Sequence, residues 1–321
     1  MRRLLLLVFL LCVTRLAWAQ QPAFCGTPSP TKEALDAYQR WAKNLRTQRT
    51  AAGPTVFVPV VFTFVRPASE AGQPTRTAQL DATRNTHWLE KAFRPGNLSF
   101  FIAGFRTLDN DADFNREWYT QFDPSIAQRV QKNAVNVVVV PKIGSGFAGF
   151  AYYPSSSGQP SNLIFLHYDY FPYAQQLFPH EMGHYFNLLH TFETTFGAEL
   201  ANGANCATAG DLVCDTPADP YGRPDARVSG CTYTGTATDA NGQAYNPDPH
   251  NLMSYWYSRG CFADRFSAGQ FERAYGGYLF RQHNPGHGEN RYDFSALPRD
   301  AVPSDLRISR EEEGVKLSFL P

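Results

Sequence analysis

The sequence predicts an α/β protein built on a mixed β-sheet, and three observations carry that prediction. Residues 56–65 and 135–140 are apolar runs rich in β-branched and aromatic side chains, the pattern of strands buried on both faces. Residues 80–93 repeat apolar side chains at helical spacing and stop at Arg94-Pro95-Gly96. A further helix, expected to start near residues 176–179, carries His180 and His184 and follows the predicted strands. Strand, helix, several strands and then a helix imply a sheet with helices packed against it.

With 321 residues, 43% hydrophobic and 18% charged, the chain can bury a large core. Lys and Arg number 29, as do Asp and Glu, so the formal net charge is zero and there is no electrostatic footprint for nucleic acid or an anionic membrane. Met1-Arg2-Arg3, the apolar run 4–13 and Ala17-Trp18-Ala19 have the three regions of a secretory signal peptide, with cleavage expected after Ala19. The apolar run is too short for a membrane anchor, and Arg15 interrupts its flank. The mature protein is therefore expected outside the cytoplasm, extracellular or periplasmic, away from the membrane and as a monomer. Export permits disulfides. Cys12 leaves with the signal peptide, and Cys25, Cys206, Cys214, Cys231 and Cys261 remain, an odd set.

The elements follow in order. Residues 20–50 read as a leader in which Thr31 caps a helix through Glu33, Leu35, Tyr38 and Trp41. The basic, polar stretch 43–50 before Gly53-Pro54 suits either a processing site or a solvated loop. Residues 98–108 and 163–167 read as further strands, and the Gly-rich segment 144–153 forms or adjoins the sheet edge along which an extended peptide could lie. Residues 191–249 lose regular patterning, so something must hold them, and residues 267–279 return to helical spacing.

The chemistry concentrates in His180-Glu181-Met182-Gly183-His184. On a helix the two histidines share one face at i and i+4, and Glu181 projects beside them toward a bound water. A third nitrogen is available at His190 if the chain leaves the helix sharply after His184. Three protein ligands and an open position suit a catalytic zinc ion, with metal-assisted hydrolysis as the reaction. A carboxylate third ligand, Glu193 or Glu199, is the alternative. A different class is an inactive extracellular metal-binding or adhesion module, against which Glu181 speaks, because a structural site needs no base. Gly183 inside a helix costs roughly 1 kcal/mol relative to alanine, which points to a packing reason such as another backbone passing close to the metal.

His180 to His184 with His190-Thr191-Phe192, Gly210-Asp211-Leu212-Val213-Cys214-Asp215-Thr216-Pro217-Ala218, Asn251-Leu252-Met253-Ser254-Tyr255 and the closing helix at 266–273 together resemble the pappalysin/cytophagalysin group of metzincin metallopeptidases. The resemblance spans residues 25 to about 279. It implies the zincin fold: a mixed twisted sheet with backing helices, an active-site helix and an irregular disulfide-linked C-terminal subdomain, within a catalytic domain of residues 51–285. By it, His180, His184 and His190 bind Zn2+, Glu181 is the general base, Met253 is the floor beneath the metal and Tyr255 stabilises the oxyanion. Protein or peptide substrates follow. The family usually has glycine where this chain has Asn187, so Asn187 is expected at positive φ.

The resemblance also implies that Cys25, in Phe24-Cys25-Gly26-Thr27, occupies the zinc as a thiolate and keeps a precursor latent. It supports Cys231 with Cys261, and Cys206 with Cys214 is the other pairing expected. Related enzymes bind calcium near the Asp-Thr-Pro loop, for which Asp211, Asp215 and Thr216, with Glu199 in addition, are the oxygen-bearing candidates here; turn-forming aspartates are the ordinary alternative. The residues after Met253 include no acidic side chain that would support a preference for basic substrates. The tail 286–321 lies beyond the resemblance and alternates as a β-hairpin.

Overall fold

The computed structural model of the protein describes residues 24–46, 55–118, 131, 133–154, 162–283, 306–311 and 314–319. The expected signal peptide at 1–19, positions 47–50 of the basic stretch and the tail before Leu306 lie outside the described residues. In chain order the main elements are α1 (Lys32–Arg46), β1 (Val56–Arg66), α2 (Arg76–Phe93), β2 (Leu98–Asp109), α3 (Asp111–Asn115), β3 (Val135–Val140), β4 (Gly149–Ala151), β5 (Leu163–His167), α4 (Leu177–Tyr185) and α5 (Ala268–His283).

Five strands form one mixed sheet in the order β2-β1-β3-β5-β4. β1 pairs parallel with β2 and β3, and β3 parallel with β5, whereas β4 closes one edge antiparallel to β5. The continuous apolar runs have a direct cause, since Val135, Val137 and Val139 of β3 enter the main core while Val138 and Val140 enter a second cluster with Phe150, Leu163 and Phe165. Strands covered on both faces leave no solvent side on which polar residues could alternate.

Helix α2 starts earlier than its apolar periodicity suggests. Thr75 is its N-cap, with the hydroxyl accepting from the Ala78 amide, and Leu80 is 54% exposed. The buried face is instead Asp81, Ala82, Asn85, Thr86, Leu89 and Phe93, and the Asn85 amide donates to the Phe171 carbonyl at 2.7 Å. Three polar residues on the core side hide this face from hydropathy. In the leader, Thr31 accepts from the Ala34 amide and α1 packs on α5, with Tyr38 and Trp41 both ring-to-edge on Phe280.

Residues 191–255 are mostly turns and irregular chain, with the short pair β6 (Val228–Ser229) and β7 (Thr232–Tyr233). Cys206 and Cys214 are disulfide-bonded. The expected Cys231–Cys261 bond is not formed: both thiols are free, although they share a small cluster with Ala226 and Trp256 and interact with each other. The tail forms the antiparallel hairpin β8 (Leu306–Glu311) and β9 (Gly314–Phe319).

Two close approaches lock α4 in place. A Cβ on Gly183 would stand 2.5 Å from the Met253 sulfur, so the reason for this glycine is a methionine side chain and not the passing backbone anticipated above. A Cβ on Gly277 of α5 would overlap the Phe186 carbonyl. Arg281, fully buried, donates to the carbonyls of Tyr185 and Tyr152 and stacks over the Tyr185 ring, tying α5 to the end of α4 and to the chain beyond β4. In an open helix Gly277→Ala would gain about 1 kcal/mol. Here backbone overlap outweighs that gain, and the substitution should destabilise the protein by about 1–3 kcal/mol, read as a lower denaturant midpoint in urea unfolding.

Candidate metal centre

The site begins with the end of a helix. α4 has no capping side chain at its start, and Pro179 sits in the first turn, where its missing N–H leaves no bond unmade. At its other end the Asn187 amide donates to His184 O at 2.8 Å and the Leu188 amide to Gly183 O at 2.8 Å, the paired bonds of a Schellman turn. Asn187 is the left-handed residue of that turn at φ 72°, and its carbonyl accepts from Arg273 of α5 at 2.7 Å. The reversed chain carries His190 back to the histidines of α4, and the Thr191 amide donates to Met253 O at 3.2 Å.

The three imidazoles are buried and converge. His184 Nε2 is 3.1 Å from His180 Nε2 and 3.0 Å from His190 Nε2. The ring orientation is fixed from behind, because His180 Nδ1 faces Leu252 O at 2.6 Å and His184 Nδ1 faces Leu188 O at 2.8 Å. A carbonyl accepts, so each Nδ1 carries the hydrogen, and the Nε2 lone pairs of these two rings are left pointing at each other. Two acceptors at that separation cannot satisfy one another, whereas a shared cation satisfies both. Burial lowers the pKa of His180 to about 4 and pushes His184 and His190 well down, which keeps the rings neutral and available as ligands. These residues fit zinc. Met253 lies buried below α4, against Gly183.

Cys25 joins the cluster. Its sulfur and one nitrogen from each of His180, His184 and His190 all lie within 4.8 Å of one another. Burial and the neighbouring Glu181 push the Cys25 thiol well above its ordinary value, and it donates to Glu181 Oε2 at 3.5 Å. The Thr27 hydroxyl lies 3.0 Å from the same oxygen, while Glu181 Oε1 is buried with no partner. Burial raises the Glu181 pKa to about 8. The Tyr255 hydroxyl is 2.9 Å from His190 Nε2 and donates to Cys25 O at 3.3 Å, and the Tyr153 hydroxyl is 2.9 Å from His184 Nδ1.

The other anticipated oxygen ligands stand elsewhere. Glu193 caps the amides of Thr194 and Thr195 and accepts from Ser29, so the third position at the cluster belongs to His190. Asp211 accepts from Thr216 Oγ1 and the Val213 amide, but Asp215 turns to the start of α5, accepting from Ser267 Oγ and the Gly269 amide. Asp211 and Thr216 thus bond to each other, while Asp215 faces α5. Glu199 lies near Asp211, and burial raises both carboxyls, to about 8 and about 7.

Sequence reasoning missed Asp219. Its carboxylate accepts from Thr191 Oγ1 at 2.7 Å, Ser254 Oγ at 2.6 Å, the Tyr221 amide at 2.9 Å and Trp256 Nε1 at 3.1 Å, joining the neighbours of His190 and Tyr255. Its place directly after Asp-Thr-Pro-Ala is the one sequence signal that could have marked it. Thr27, two residues after Cys25, was also passed over.

A buried triangle of imidazoles beside a glutamate, on a mixed α/β sheet, defines a zinc metalloprotease. The family model described as pregnancy-associated plasma protein-A matches residues 126–276. An extracellular metalloprotease of Colletotrichum graminicola is 28% identical over 285 residues, 78% of this chain and 95% of that protein. Another of Neurospora crassa is 25% identical over 274 residues, 79% of this chain and 87% of that one. Among solved structures, a mutant form of Tannerella forsythia promirolysin shares the fold, with a TM-score of 0.52 and 16% identity over 84% of this chain and 97% of its own. The chain is thus similar in sequence to extracellular metalloproteases and to the pregnancy-associated plasma protein-A family model, and similar in fold to promirolysin.

Two outcomes follow for this region. Asn187→Gly should leave stability and metal content intact, whereas Asn187→Ala should cost about 1–2 kcal/mol and lower the metal bound per chain; thermal melts and elemental analysis read both. Because Glu199 and Asp211 hold their protons to higher pH folded than unfolded, the folded state binds more protons between about pH 4 and 8, and stability falls as pH rises through that window. Glu199→Gln should flatten the decline in Tm measured from pH 5 to 8.

Proposed function

We propose that the protein is a secreted zinc endopeptidase kept latent by its own leader, with Glu181 as general base. The cluster of Cys25, His180, His184 and His190 is the observation that carries this reading, because it joins a leader thiol to a three-histidine seat. Residues 1–19 direct export, 20–50 form the latency segment and 51–285 the catalytic domain. Extracellular proteins or peptides are the substrates.

His180, His184 and His190 hold the zinc, which when bound supplies Lewis acidity toward the carbonyl under attack. Glu181, in its buried setting, takes a proton from the attacking water and passes it to the departing amine. Tyr255 presents its hydroxyl to the oxygen that gains negative charge. Asp219 holds the segments bearing His190 and Tyr255 in register. In the latent form Cys25 fills the position that water needs, and Thr27 engages the Glu181 carboxylate that water would approach. Removal of the leader frees both groups together. The Arg273 side chain, over the Tyr38 ring and bonded to Asn187 O, links the leader helix to the turn that positions His190.

Glu181→Ala should retain one zinc per chain while peptide hydrolysis falls by a factor on the order of 10²–10⁴. Cys25→Ala should make the full-length chain active without processing. Stoichiometric zinc with no Glu181-dependent cleavage would instead indicate a binding module.

A further inference from the structure

The leader does more than deliver a thiol. Segment 24–27 lies along β4 as an added strand, with the Gly26 amide donating to Gly149 O at 2.8 Å, the Gly149 amide to Phe24 O at 3.2 Å, and Ala151 N to the Thr27 hydroxyl at 2.9 Å. An extended peptide thus sits on the edge strand, with Cys25 at the three histidines. The residue beside the reacting position is Phe24. Its ring occupies a recess walled by aromatic groups, with centroids 3.8 Å from Tyr257, 5.2 Å from His180 and 6.0 Å from Tyr255.

We propose that this recess is the principal specificity pocket, with Tyr257 as its wall, and that the enzyme selects peptides carrying an aromatic or large apolar side chain at a position flanking the cleaved bond. The proposal rests on the protease reading above. The pocket's chemistry favours this class. Burial keeps the Tyr257 phenol neutral, so this wall carries no charge of its own. Arg259, the nearest cation along the chain, is turned away: its guanidinium stacks over Tyr221 and Trp256 and donates to Ala226 O at 2.6 Å. A charged side chain entering the recess would lose hydration against aromatic walls, whereas an aromatic ring would find edge and face contacts there.

The test uses the secreted full chain, activated by limited proteolysis, and a peptide library with cleavage sites read by mass spectrometry. Phe, Tyr, Leu and Met should be favoured at one of the two flanking positions by about tenfold or more over Lys, Asp and Gly. Tyr257→Ala should reduce that preference at the same position and leave the others unchanged, while Tyr257→Phe should retain it. A readout free of catalysis is hydrogen exchange of the leader in the unprocessed chain. Phe24→Tyr should preserve protection of the Gly26 and Thr27 amides, and Phe24→Lys should lose it. Cleavage with a basic, acidic or absent preference, or equal protection in both leader variants, would overturn the pocket assignment while leaving the protease reading intact. Absence of any Glu181-dependent cleavage would overturn both.

Discussion

The structure depends on where one helix ends. α4 holds two imidazoles on one face, but the third arrives only because the backbone reverses at Asn187. That reversal is secured from three sides: by the Schellman bonds, by Arg273 on the Asn187 carbonyl, and by α5 packed so closely on Phe186 that position 277 admits no side chain. The Asn187 side-chain Nδ2 is buried without a partner, so the side chain contributes little beyond tolerance of the left-handed conformation. The closing helix, far along the chain, is therefore part of the metal site through backbone geometry.

The same economy recurs around the cluster. The carbonyls of Leu252 and Leu188 fix two imidazoles, Met253 fills the space that Gly183 leaves, and the Asp219 carboxylate gathers hydroxyl, amide and indole donors from both sides of the cleft. Burial keeps the histidines neutral and raises Glu181, and a cation held by the three rings would draw the carboxyl back down. Segment 24–27 brings a thiol to the histidines and a hydroxyl to the glutamate in one short added strand.

Much of this was legible in the sequence where a short-range rule applies. His180 and His184 follow from helical spacing and β1 and β3 from unbroken apolar runs, whereas the positive φ of Asn187 was anticipated only through the family resemblance. Features set by distant packing were not legible. The polar core face of α2 looks like a surface, Asp219 resembles any turn aspartate, and Arg281 gives no sign that its charge will be buried against Tyr185. Asp215 had the right composition for a cation ligand, but α5 begins beside it and takes both its oxygens. The adjacent thiols of Cys231 and Cys261 show the same limit, since the family resemblance suggests proximity and not the bond itself.

The central claim is that the leader cysteine and three histidines hold one zinc ion in the secreted precursor. Zinc-edge X-ray absorption on the purified full-length chain tests it directly. A first shell of three nitrogens at about 2.0–2.1 Å and one sulfur at about 2.3 Å, with the sulfur lost in Cys25→Ala, is the predicted result. A shell without sulfur in the unprocessed chain, or a chain that takes up no zinc, would contradict it.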